Sequence, residues 1–211
     1  MLKELMAGLL ALTPVTTLAD EGTAQKFWVE GTTLVFDTES NVEGDEAEIT
    51  DDDVDRLKEM LRQHPDVMAL KLNSGGGGVF AGNEMARVVI DYGLDTVVSG
   101  ECSSACATIF LGGAARRMER GSKIGFHQRQ WSEGSMRKYF ERWRKEEKWD
   151  TPFTFASWVY EDTQGEIYDE LMYIVGRGVD AEFAIQTKRV GADDQWFPSR
   201  DEMTKAGVLR E

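Results

Sequence analysis

Histidine and cysteine are scarce in this chain, with two of each in 211 residues, and basic residues are outnumbered, 24 lysines and arginines against 38 acids. The two cysteines and two histidines have no recognisable ligand spacing, which argues against a metal centre. No cofactor is expected. The net charge of −14 argues against nucleic acid, whose phosphates such a surface would repel. Long apolar runs are absent beyond the first residues, and so are internal repeats and low-complexity linkers. What remains is ordinary for a globular protein: 41% hydrophobic and 29% charged residues, enough for one α/β domain with a substantial core.

The N-terminus carries the one apolar stretch. Lys3 precedes Leu5 to Leu18, and Thr17-Leu18-Ala19 stands before Asp20. A short apolar region with small residues before a cleavage point reads as an export signal. Pro14 breaks it, and it falls short of a comfortable membrane span; a buried N-terminal helix is the other reading. The expectation is a signal peptide over residues 1–19 and a single domain over 20–211 in the periplasm, with no stable membrane span after signal removal. In such an oxidising compartment Cys102 and Cys106, four residues apart, can bridge, because one helical turn brings Cα atoms within about 7 Å. They can equally be small buried side chains.

Along the chain, Phe27 to Asp37 reads as two short strands around Gly31. Residues 40–48 are acidic and read as a surface loop. Thr50 is placed to cap a helix whose first turn holds Asp51, Asp52 and Asp53. The recurrence of Val54, Leu57, Met60 and Leu61 carries that helix to about Gln63. A strand is expected over 67–72, a helix over 81–92, a strand over 95–99 and a buried helix over 106–111. Strands near 117–118 and 124–127 follow. Strand and helix alternate, which predicts a largely parallel sheet covered by helices. In residues 135–149, Met136, Tyr139, Phe140 and Trp143 form an aromatic helical stripe, either ordinary packing or a partner surface. A helix over about 156–175 follows, with Gly165 interrupting its pattern.

Three elements carry chemistry. Asn73-Ser74 followed by Gly75 to Gly78 joins a strand to a helix, where exposed amides can hold an anion. No Walker lysine follows. Gly100 to Cys106 is a second strand-to-helix junction. Ser103 or Ser104 there is either a helix cap or a nucleophile favoured by the helix dipole. His127 ends an apolar strand, at the sheet edge where parallel sheets carry functional groups, and is the better-placed base of the two histidines.

In order and approximate spacing, Asn73-Ser74-x-Gly-Gly, Ser104-Ala-x-Ala and Phe126-His127-Gln128 resemble the proteolytic subunit of Clp protease. The likeness spans about residues 67–128 and resumes at Trp196-Phe197-Pro198-Ser199. It implies the ClpP/crotonase fold, a spiral of β-β-α units, here with a helical insertion over about 129–178. By position it implies Ser104 as nucleophile, His127 as base and Asp194 as the orienting acid, with Asp193 as rival. The amides of Gly76 or Gly77 and of Ala105 would form the oxyanion hole. It also implies a peptide or unfolded-protein substrate and a homo-oligomer. Gly75 stands where the family has proline. An ATPase partner is not expected in a compartment without ATP. A non-catalytic binding module on the same fold is the alternative; a lysine base at Lys123 or Lys188 sits in no convincing motif.

Overall fold

The computed structural model describes residues 25–40 and 47–210; the signal segment and most of the acidic loop lie outside these. A hairpin opens the fold. β1 (Phe27–Glu30) and β2 (Thr33–Asp37) pair antiparallel around Gly31, whose φ of 62° suits the tight turn. Asp53 then starts helix α1 (Asp51–Gln63): its carboxylate accepts the Thr50 N–H at 2.8 Å and pairs with Lys26 at 2.9 Å. Val54, Leu57, Met60 and Leu61 form the buried face of α1, as their spacing predicts.

Among the described residues the sheet has six strands. β3 (Ala69–Ser74) runs parallel to β2, and β4 (Asp95–Ser103) parallel to β3. Helix α2 (Val79–Asp91) connects them, and helix α3 (Ala105–Leu111) leaves β4. Helices on a parallel sheet are the α/β arrangement expected from the alternating pattern. The two short strands β5 (Arg116–Met118) and β6 (Lys123–Gly125) both pair with β4, at its beginning and its end respectively. β4 therefore forks the sheet, and its far half leads to Ser104.

β4 is longer than the strand expected over 95–99, running on through the start of the Gly100–Cys106 junction. A side chain carries the strand across the glycine. Asn73 Oδ1 accepts the Glu101 N–H at 3.0 Å, and Asn73 Nδ2 donates to Asp37 at 3.0 Å. A Cβ on Gly100 would sit 2.3 Å from Asn73 Oδ1, so only glycine leaves room for this plug. The Asp37 carboxylate also accepts the Glu39 and Ser40 amides at 2.8 Å each. Burial pushes Asp37 up, but these hydrogen bonds hold its carboxyl below the ordinary value.

Residues 133–176 form the helical insertion. Helix α4 (Glu133–Trp143) stops at Arg144, and Lys148 takes a φ of 57° as the chain turns. The helix is shorter than the 135–149 expected, since Trp149 folds back onto Phe155 with ring centroids 4.7 Å apart. Helix α5 (Pro152–Gly176) runs unbroken through Gly165 and begins earlier than its pattern suggests. Proline fits the first turn of a helix, and Thr151 caps it. The aromatic stripe packs inward: Phe140, Trp149 and Phe155 form a small second core with Met136, Tyr139 and Trp158.

Helices α6 (Ala181–Gln186) and α7 (Arg200–Lys205) complete the chain. Its end is pinned by Arg116, which is 1% exposed. The guanidinium donates to the carbonyls of Leu111, Arg177 and Gly207 at 3.1, 3.0 and 2.6 Å. These lie at the C-terminal ends of α3, α5 and α7, where helix dipoles favour a cation. Burial, with Arg177 and Arg210 nearby, lowers its pKa to about 10, so it stays charged at neutral pH. Among the described residues no helix is long and apolar enough to cross a membrane.

Candidate active site

The fork in the sheet sets up the serine. Ser103 and Ser104 are adjacent, but β4 and α3 turn them to different surroundings. Ser103 is fully buried and donates to Glu101 at 2.7 Å. Burial pushes Glu101 up, yet Lys123 at 2.7 Å and the Ser103 hydroxyl hold it below its usual range. Lys123 is committed to this pair. Ser104 instead lines a small cavity of about 30 Å³, together with Ala105, His127 and Lys188.

Ser104 has φ 57° and ψ −124°, which an L-residue rarely adopts. Only Ser104 and Lys148 among the described non-glycine residues have positive φ. Such strain persists only where the surroundings enforce it, and it clusters at functional sites. Several contacts enforce it here. The Ser104 N–H donates to Gly125 of β6 at 3.1 Å, and its carbonyl accepts the Ala107 N–H at 3.0 Å. The glycine loop closes over the same residue: a Cβ on Gly76 would lie 2.7 Å from Ser104 Cβ.

That loop is itself stitched down. The Gly76 carbonyl accepts the Ile49 N–H and the Gly78 N–H donates to the Ile49 carbonyl, both at 2.8 Å. The Gly75 amide donates to Glu39 and the Gly76 amide to Ser74 Oγ. Among the described residues, no protein group accepts from the amides of Gly77 and Ala105. Of the two glycines considered for an oxyanion hole, Gly77 is thus the one whose donor is uncommitted.

His127 follows β6 and lines the same cavity. Its Nδ1 lies 2.7 Å from the Gln128 carbonyl oxygen. A carbonyl can only accept, so Nδ1 carries the proton of the neutral ring and Nε2 keeps a free lone pair. Phe126 pairs with Trp196, and the Gln128 N–H donates to the Val190 carbonyl. The segment 190–196 therefore runs along the histidine strand. Asp193 and Asp194, within it, are both exposed, and neither hydrogen-bonds His127; Asp194 accepts the Gln195 N–H at 2.8 Å.

Lys188, which sits in no convincing motif, lines the cavity within an ion-pair cluster. Lys188 Nζ pairs with Glu170 Oε1 at 2.5 Å, and Arg129 Nε lies 3.2 Å from Glu170 Oε2. Burial drives Lys188 below its ordinary value against the pull of Glu170. The three residues come from beyond β6, from α5 and from beyond α6, so no local spacing connects them. The two sulfurs of Cys102 and Cys106 stand at bonding distance, 2.05 Å, with neither residue exposed.

Taken together, the forked parallel sheet and its helices have a ClpP-like α/β fold. Among solved structures, a point variant of ClpP1 from Listeria monocytogenes is similar at a TM-score of 0.50 and 17% identity, covering 77% of this chain and 84% of that one. No family model and no curated protein matches the chain.

Proposed function

We propose that the protein is a periplasmic serine hydrolase that cleaves peptides or unfolded polypeptide without an ATPase partner. The observation that carries this is Ser104, strained at a strand–helix junction and facing one cavity with His127. Ser104 Oγ attacks the substrate carbonyl carbon as His127 Nε2 takes its proton. The Gly77 and Ala105 amides receive the developing oxyanion, each worth about 3–4 kcal/mol by the usual measure of such donors. As the tetrahedral intermediate collapses, the C–N bond breaks and His127 returns the proton to the leaving amine. Water, deprotonated by the same ring, then releases the acyl group.

The main-chain carbonyl of Gln128 supports the ring tautomer this sequence needs, so the role of Asp194 is at most auxiliary. Replacing Asp194 by asparagine should leave most of the activity, whereas His127→Ala should remove nearly all of it. Export through residues 1–19 and oxidation of Cys102 with Cys106 belong to the same reading. The test is hydrolysis of an unstructured polypeptide such as reduced, alkylated casein, without nucleotide. Cleavage lost in Ser104→Ala supports the proposal; cleavage equal in that variant removes it.

A non-catalytic binding module is the second reading, favoured by an open groove of about 820 Å³ between α4 and α5. Met136, Phe140, Val159 and Ile167 line it, with Tyr160 exposed beside them. It predicts partner binding that survives Ser104→Ala.

A further inference from the structure

Ser104 occupies a backbone conformation that its own residue type disfavours. The helix that begins beside it is only seven residues long. Across it, the glycine loop offers main chain and no side chains. Cys102 and Cys106 bracket Ser104 symmetrically, two residues before and two residues after it. Cys102 belongs to β4, where it pairs with Ser74 of β3 and Ile124 of β6. Cys106 belongs to α3 and is fully buried in the main core. A bond between them joins strand to helix across the strained residue.

We propose that Cys102 and Cys106 are positioning residues for Ser104. Their disulfide fixes the entry and exit of the serine turn, so the reactivity of the nucleophile depends on their oxidation state. The inference rests on Ser104 being the nucleophile. It adds that the thiol pair controls how well that nucleophile is aimed. Forming the link takes two protons and two electrons from the thiols. They pass by thiol–disulfide exchange to a second disulfide, which leaves as a dithiol. With the link open, Gly125, Ala107 and Gly76 alone hold the turn, and Ser104 can relax toward ordinary backbone angles. Oγ then leaves the line between His127 Nε2 and the substrate carbonyl, a misplacement of the kind that costs up to about a hundredfold in rate.

The experiment compares a fluorophosphonate probe reacting with wild type, Ser104→Ala and the double variant Cys102→Ala/Cys106→Ala. Circular dichroism and a urea transition establish that each is folded. Intact mass under denaturing alkylation counts free thiols in the wild type. The expected result is no free thiol and rapid labelling of wild type. The folded double variant should label roughly ten- to a hundredfold more slowly, with the maximal inactivation rate reduced and the probe's apparent affinity unchanged. The shape of the pH profile of labelling should be the same in both proteins.

A second arm covers a double variant that fails to fold. Wild type is reduced by a phosphine in mild urea and returned to buffer, where it should label slowly, then recover on reoxidation with oxidised glutathione. Undiminished labelling of the folded double variant or the reduced protein overturns the inference while leaving the proposed function intact. Two free thiols in wild-type protein secreted to an oxidising compartment also overturn it. No labelling of oxidised wild type overturns both.

Discussion

Alanine at Gly76 would add one methyl group at the closest approach between the glycine loop and the serine turn. Gly76 has φ 115°, and an added Cβ would meet Ser104 Cβ at 2.7 Å and the Ser103 carbonyl oxygen at 2.9 Å. The backbone conformation alone costs an L-residue about 1–3 kcal/mol. Both contacts involve atoms next to or within the main chain, so neither can swing aside, and overpacking of this kind adds roughly 1–3 kcal/mol. Gly76→Ala should therefore lose about 2–6 kcal/mol, a large share of the ~5–15 kcal/mol typical of a domain. What remains native should have a displaced Ser104. Gly93→Ala is the control: its φ is 64°, but nothing lies within 4 Å of the added Cβ. It should cost only ~1–2 kcal/mol and leave the serine untouched. Urea transitions of both variants, with fluorophosphonate labelling of the native fraction, give the comparison. Equal losses in the two variants, with normal labelling of Gly76→Ala, would show that the glycine loop does not constrain Ser104.

Other consequences follow from the supports around the site. Arg116→Met should cost roughly 2–4 kcal/mol, because the half-buried carbonyls of Arg177 and Gly207 lose their donor while Leu111 keeps Arg177 Nε, and a urea midpoint within error of wild type would contradict that. Asp37→Asn puts an amide donor against Asn73 and should cost about 1–3 kcal/mol at neutral pH. Because the folded carboxyl titrates below its ordinary value of 3.8, this difference should be complete above that value. It should then fade as pH drops through the lower folded value. Paired urea transitions from neutral pH down to about pH 2 check it, and a pH-independent difference would sink it.

Much of the scaffold is visible in local pattern. Thr50 with its acidic first turn marks the start of α1, and the run after Ser74 marks the loop that meets the serine. The features that escaped are those set by distant partners. Gly100 looks like a strand breaker until Asn73, from a neighbouring strand, supplies the missing ladder contact. Trp149 reads as the end of the helix expected over 135–149, yet it packs from the turn beyond α4 because Phe155 offers it a face. Arg116 resembles any strand arginine, and only the convergence of three helix ends explains its burial. Likewise Lys188 and Glu170 meet across α5 and α6 with no shared motif. At the site, residue identity points to Ser104 and His127. It cannot reveal that a main-chain carbonyl stands 2.7 Å from the ring nitrogen, where an aspartate was expected.

The central claim is that Ser104 is an activated nucleophile served by His127. Its most direct test is reaction of oxidised wild-type protein with a fluorophosphonate, read by intact mass and by mapping the modified peptide. One adduct is expected, on the peptide containing Ser104, formed as fluoride leaves phosphorus. The adduct should be absent from Ser104→Ala and strongly reduced in His127→Ala. Folded wild type that takes up no adduct, or takes it on another residue, would mean that Ser104 is not an activated nucleophile.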